Sequence, residues 1–341
     1  WESSWEVIMA KAKRRSKYSG IGGQAVIEGV MMRNKDKYAV AVRKPDGDIE
    51  VSVSDYKTLV KNKKILEFPI IRGVLNFIDS MAVGLKTLMY SASFYEEEEV
   101  KPTKTDKAME KVFKDKAMDV VMFCTMAFSI VFAIALFMVL PYFISNLLRP
   151  YIESNTLMAV IEGVIRIGIF VGYVLLITLM KDIQRLFQYH GAEHKCINCV
   201  ERGLPLTVEN VRKCSKQHKR CGTSFLLIVM VISIIFFMFI QTDSTLMRVV
   251  LRILLLPVVA GVSYEVIRLA GRCDNIFIKI VSAPGMLLQR LTTREPADEM
   301  IEVAIKSVEA VFDWKQYLYD NRYITKKEFE KLKAEEDFEI F

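Results

Sequence analysis

The 341-residue chain predicts a mainly α polytopic membrane protein: about four transmembrane helices, a small N-terminal cytosolic β-rich unit, an interfacial amphipathic helix and a helical cytosolic tail. Three observations carry this. Residues 120–148 contain no charge, and residues 222–241 form a second uncharged apolar run. At about 1.5 Å per helical residue each can span a hydrocarbon core. The chain is 52% hydrophobic yet 26% charged, too polar for a bare membrane bundle and too apolar for an ordinary soluble domain. Residues 181–221 hold nine Lys/Arg against Asp182, Glu193, Glu201 and Glu209, a net +5, whereas the alternate loops are short and nearly neutral. The positive-inside rule then places both termini and this loop in the cytosol.

In chain order, residues 1–66 read as the β-rich unit. Residues 1–17 are mixed in charge and show no central apolar stretch, so no cleavable signal peptide is visible. Residues 38–43, the turn Pro45-Asp46-Gly47 and the alternating Ile49-Glu50-Val51-Ser52-Val53 predict a hairpin with one buried face. The glycines of residues 22–30 do not fit a G-x-G-x-x-G loop and predict close backbone packing rather than phosphate binding.

Residues 67–118 predict an interfacial helix and a charged linker. Arg72, Asp79 and Lys86 fall seven apart on one face, leaving Ile71, Val74, Leu75, Ile78, Leu85 and Leu88 for a membrane-facing side, with a helix packed on the β-unit as the competing reading. The acidic run of residues 96–99 and the Lys/Thr-rich residues after it read as a solvated linker. Residues 119–272 predict the four-helix bundle. Its second span carries Glu162 and Arg166 four apart, a spacing that suits helix–helix pairing, and its fourth carries Arg248, Arg252, Glu265 and Arg268. Residues 273–341 predict the helical tail, with Met300, Ile301, Ala304, Val308 and Val311 at helical spacing and a Thr325-x-x-Glu328 capping box.

Candidate chemistry concentrates in the basic loop. All three histidines and four of the six cysteines lie between residues 190 and 221, namely His190, His194, Cys196, Cys199, Cys214, His218 and Cys221, with Glu193 between the first two histidines. A cytosolic loop keeps thiols reduced, so cysteines beside histidines read as metal ligands rather than a disulfide framework, while Cys124 and Cys273 read as packing residues. On a helix His190 and His194 project from one face one turn apart. With Glu193 they form H-x-x-E-H, which in inverted zincin peptidases supplies two zinc ligands and a general base. His218 and Cys221 add two ligands just before the third span.

The expected cofactor is zinc or another divalent transition metal. If all four coordinate, the site is closed and structural; if Cys221 does not, a position is left for a water that Glu193 could activate. Cys196-x-x-Cys199 with Cys214 is a rival thiolate set, although the basic neighbours Lys195, Lys213 and Lys216 equally fit exposed reduced thiols. Glu265 falls near the cytosolic end of the fourth span, where it could support a histidine from outside the ligand set or pair with Arg268 or Arg272.

The stretches Gly22-Gly23-Gln24-Ala25-Val26-Ile27-Glu28-Gly29-Val30-Met31-Met32-Arg33, Tyr189-His190-Gly191-Ala192-Glu193-His194-Lys195, Arg220-Cys221-Gly222-Thr223-Ser224-Phe225 and Leu291-Thr292-Thr293-Arg294-Glu295-Pro296 resemble the YqhQ-like family of bacterial membrane proteins, domain of unknown function 1385. The resemblance runs from about residue 20 to residue 311. It implies a multi-pass protein of the bacterial inner membrane and a predicted metal-dependent enzyme, with the polar motif falling on His190, Glu193, His194, His218 and Cys221. Lys219 stands where relatives commonly have proline, and Cys196 and Cys214 lie outside the family pattern.

Two functions follow as expectations. One is a cytosol-facing zinc-dependent hydrolase acting on a peptide, lipid ester or phosphoester. The other is a non-catalytic membrane factor whose basic face docks a ribosome, Sec translocon or other biogenesis complex, a link that the family's frequent location near translation genes also suggests. The +7 net charge suits anionic lipid and would suit RNA, although positive-inside bias alone explains it; nothing points to DNA.

Overall fold

The computed structural model describes residues 17–58, 67–95, 117–240, 242, 244–272 and 276–339. Residues 1–16 of the stretch read against a signal peptide, the acidic run and linker of residues 96–116, and Cys273 lie outside the described residues.

Strands β1 (Gly22–Val26), β2 (Gly29–Asn34), β3 (Lys37–Arg43) and β4 (Ile49–Asp55) form an antiparallel meander in sequence order. The helices are α1 (Pro69–Ala92), α2 (Ala117–Ile134), α3 (Leu140–Asn146), α4 (Asn155–Ile177), α5 (Lys181–Glu201), α6 (Val208–Arg212), α7 (Gly222–Met238), α8 (Thr245–Arg272), α9 (Ile276–Thr292), α10 (Asp298–Glu309), α11 (Trp314–Asp320) and α12 (Lys326–Glu339).

The β3–β4 hairpin forms as its turn signal predicts, with Gly47 at φ +94° and Arg43 opposite Ile49. The expectation of one buried face is corrected. One face, with Val30, Met32 and Ala41, packs on α5 and α10, while the other, with Val26, Met31, Val40 and Val42, packs against α1. Tyr38 to Val42 of β3 are therefore buried throughout. The three regions read separately as residues 1–66, 181–221 and 273–341 share one hydrophobic core, in which Tyr189, Ile197 and Val200 of α5 meet Met300, Ile301 and Ala304 of α10. In the tail, Glu328 accepts from the Thr325 amide and the Thr325 hydroxyl caps Glu328 in return.

Among the described residues, three helices are long and apolar enough to cross a membrane, over Phe123–Asn146, Asn155–Ile177 and Leu246–Leu269. The apolar run at residue 222 forms α7, whose 17 residues cover about 25 Å. Between α2 and α3 the chain makes a π-helical stretch, Ala135–Val139, ahead of Pro141. Proline has no amide to donate and crowds the preceding turn, and the wider turn absorbs that break.

Helix α1 is amphipathic but turns its small and polar side inward. Gly73, Asp79, Gly84, Thr87 and Ser91 are buried, while Ile71, Ile78, Met81 and Leu85 are exposed. Gly73 and Gly261 let α1 and α8 touch backbone to backbone, since a Cβ on Gly73 would lie 2.7 Å from the Gly261 carbonyl oxygen. An apolar face turned outward from a protein that also carries apolar helices is consistent with contact with a lipid bilayer.

Candidate metal centre

Helix α5 carries the H-x-x-E-H residues, and three other segments are folded onto it. Gly191 lies so close to the Arg294 carbonyl that no side chain would fit, and the Arg294 amide donates to the Phe187 carbonyl at 2.9 Å. This presses the end of α9 against His190, whose Nδ1 lies 2.8 Å from the Thr292 carbonyl oxygen. The loop before α7 does the same for His194, whose Nδ1 lies 2.7 Å from the Lys216 carbonyl oxygen. A carbonyl only accepts, so each imidazole carries its proton on Nδ1 and leaves the Nε2 lone pair free.

Cys221, the N-cap of α7, closes the group. Its Sγ lies 3.1 Å from His190 Nε2 and 3.2 Å from the Thr223 hydroxyl. The ligand atoms of His190, His194 and Cys221 all lie within 4.8 Å of one another. In a tetrahedral zinc shell such atoms stand about 3.3–3.7 Å apart, so sub-ångström side-chain movements close the set around an ion. Two imidazoles and one thiolate suit a borderline-soft divalent ion such as zinc and do not suit calcium or magnesium.

His218, expected as a fourth ligand, is directed elsewhere. Its amide donates to Gln289 Oε1 at 2.8 Å, Gln289 Nε2 donates to its carbonyl at 2.8 Å, and its Nε2 lies 3.7 Å from Glu201 Oε2. Burial pushes the His218 imidazole down to about 4, against the raising effect of its hydrogen bond to Glu201. Burial alone would raise the Glu201 carboxyl, but His218, Arg220 and the Ser19 amide outweigh it and hold the group at about 2. His218 thus anchors the loop beside the cluster.

Glu193 lies within the site, with Oε2 4.0 Å from His190 Nε2. Its Cγ packs against Gly23 of β1, where a Cβ would approach to 2.9 Å. Burial raises its carboxyl to about 7, opposed by the neighbouring His190 imidazole and a hydrogen bond from the Gly23 backbone. Glu265 is not brought to the cluster. Its carboxylate takes a forked pair of hydrogen bonds from Arg72 at 2.7–3.0 Å, with Arg268 at 3.4 Å.

The rival thiolates are buried rather than exposed, Cys196 and Cys199 on α5 and Cys214 just after α6. Burial and neighbouring negative charge raise the Cys196 thiol, while a hydrogen bond with Cys199 lowers Cys214 to about 7. Two surface hollows, of about 430 and 380 Å³, lie beside the centre rather than over it, and Lys216 and Gln217 separate the first from His194.

Fold and site together define a mainly helical protein, with three described helices long and apolar enough to cross a membrane and a His/His/Cys cluster where the apolar helices meet a small α/β layer. The chain belongs to the family described as "Protein of unknown function (DUF1385)", which matches residues 68–314. It is 38% identical over 291 residues to "Uncharacterized protein YqhQ" of Bacillus subtilis (strain 168), covering 84% of this chain and 90% of that relative. No solved structure matches. The family match begins after the β meander, so the motif at residues 22–33 lies outside it, whereas the other three motifs lie within.

Proposed function

We propose that this is a membrane-embedded, cytosol-facing zinc protein of the bacterial inner membrane, in which His190, His194 and Cys221 hold the ion and Glu193 makes the site hydrolytic. The observation carrying this reading is the three converging ligand atoms, with both histidines fixed in the metal-binding tautomer by main-chain carbonyls. Three protein donors would hold the ion and leave room for a water, as catalytic rather than structural zinc sites do. A divalent ion there supplies Lewis-acid polarisation of a substrate oxygen and acidifies a water.

Glu193 lies beside the ligand shell with a carboxyl poised near neutrality. It takes the proton of the attacking water and returns it to the leaving group. The Gly23 backbone and the wall of β1 hold that carboxylate in place.

A structural reading is favoured by one observation, that neither hollow is lined by a ligand. In that reading the ion clamps α5 to α7, and the basic loop serves docking to a ribosome or translocon. Glu193→Gln separates the two. In zinc-loaded protein tested against peptide, lipid-ester and phosphoester panels, the hydrolytic reading predicts parent turnover that Glu193→Gln abolishes without loss of zinc. Absence of turnover in the loaded parent on all three panels sinks it and leaves the clamp.

A further inference from the structure

The two hollows beside the centre are continuous and differ in character. They share Gln217 and Arg290, and Gln217 Nε2 donates to the Met286 carbonyl at 2.9 Å across their boundary. The first, about 430 Å³, is walled by Lys216, Arg290 and Glu295. The second, about 380 Å³, follows α9 along Ala283, Met286 and Leu287, with Lys219 at its rim.

Helix α9 packs one side on α7, where Gly285 meets Ser224, and turns Ile280 and Leu287 outward, 62% and 58% exposed. Helix α7 starts at Gly222, where the apolar run begins, so the groove sits where the polar loop gives way to the apolar helices.

One cation of the groove, Arg290, stands without a partner among the described residues. Glu295 is engaged by Lys195 at 2.8 Å and by Lys216 at 3.7 Å, and Arg290 makes no hydrogen bond or ion pair among the described residues. Ser282 adds an independent signal. It lines the apolar hollow, is buried, and its Oγ has no hydrogen-bond partner among the described residues. A buried hydroxyl without a partner costs stability unless something fills the hollow and bonds to it.

We propose that this groove binds one acidic phospholipid, with its phosphate between Arg290, Lys216 and Lys219, a glycerol-ester oxygen at Ser282 and an acyl chain along Met286 and Leu287. Basic side chains at a membrane surface recognise anionic headgroups, and the apolar extension distinguishes a lipid from a free anion. The proposal does not rest on the metal reading. The groove nevertheless adjoins the centre, because the Lys216 main chain that walls it also holds His194.

The test is native mass spectrometry of the delipidated full chain in detergent, titrated with phosphatidylglycerol and, separately, phosphatidylcholine. Phosphatidylglycerol should bind about tenfold more tightly, a preference the double variant Arg290→Ala/Lys216→Ala should abolish. Leu287→Asp should weaken it in a second, independent way, and unchanged thermal melting of both variants excludes misfolding. Equal binding of the two lipids, or retention of the preference in the double variant, overturns the proposal. Displacement of phosphatidylglycerol by millimolar inorganic phosphate also overturns it, since it would mark a free-anion site.

Discussion

His194 and Lys216 are joined by a 2.7 Å hydrogen bond between the imidazole Nδ1 and the main-chain carbonyl, and this bond fixes which nitrogen faces Cys221 and His190. The lysine contributes its backbone, not its ammonium group. Lys216→Ala should therefore keep the parent's zinc affinity within a few-fold, measured by competition with a chromophoric chelator. A loss approaching that of a ligand deletion would place the ammonium group in the centre.

Gln289 is fully buried and hydrogen-bonds the amide and carbonyl of His218 and the hydroxyl of Ser224. Gln289→Leu keeps volume but strands these groups, each worth about 1–3 kcal/mol when buried unsatisfied. Denaturant unfolding of the apo protein in detergent should show a loss on the order of 3 kcal/mol.

Among the apolar helices, Glu162 is shared by two arginines. Arg252 forks onto both carboxylate oxygens at 2.6 and 2.8 Å, and Arg166 reaches Oε1 at 2.8 Å while also donating to Ser233. Glu162→Gln leaves two buried cations without a counter-charge and should cost about 3–5 kcal/mol. Arg166→Leu leaves the Arg252–Glu162 pair balanced and should cost less, a ranking that thermal unfolding of the two variants checks directly.

Acid should unfold the loop region from the His218 side first. In the folded state His218 is depressed from 6.5 to about 4 and Glu201 from 4.5 to about 2, so the unfolded chain binds more protons at both positions. Their stabilisation is complete above pH 6.5. The His218 part is lost as pH falls from 6.5 to 4, and the Glu201 part as it falls from 4.5 to 2. Stability of His218→Asn measured against pH should lack the upper part of this decline, and an unchanged profile would contradict the burial of a neutral His218.

What the sequence made legible was local. His190 and His194 share a helical face by their i, i+4 spacing, Cys221 abuts an apolar run, and Thr325-x-x-Glu328 announces its cap. Long-range partners were hidden. Every residue has a carbonyl, so nothing in the identity of Thr292 or Lys216 marks it as the support of a histidine. His218 has ligand chemistry, yet Glu201 and Gln289, the latter 71 positions away, claim it. Glu265 has Arg268 one turn along, yet its forked partner is Arg72, 193 positions earlier, because two glycines bring α1 onto α8.

The central claim is the three-ligand centre, and metal analysis of the purified full chain after zinc loading and desalting tests it most directly. The account predicts zinc stoichiometric with the parent chain, lost in His190→Ala, His194→Ala and Cys221→Ala, and retained in His218→Asn. A parent that retains no zinc, or a His194→Ala variant that keeps it, would contradict it.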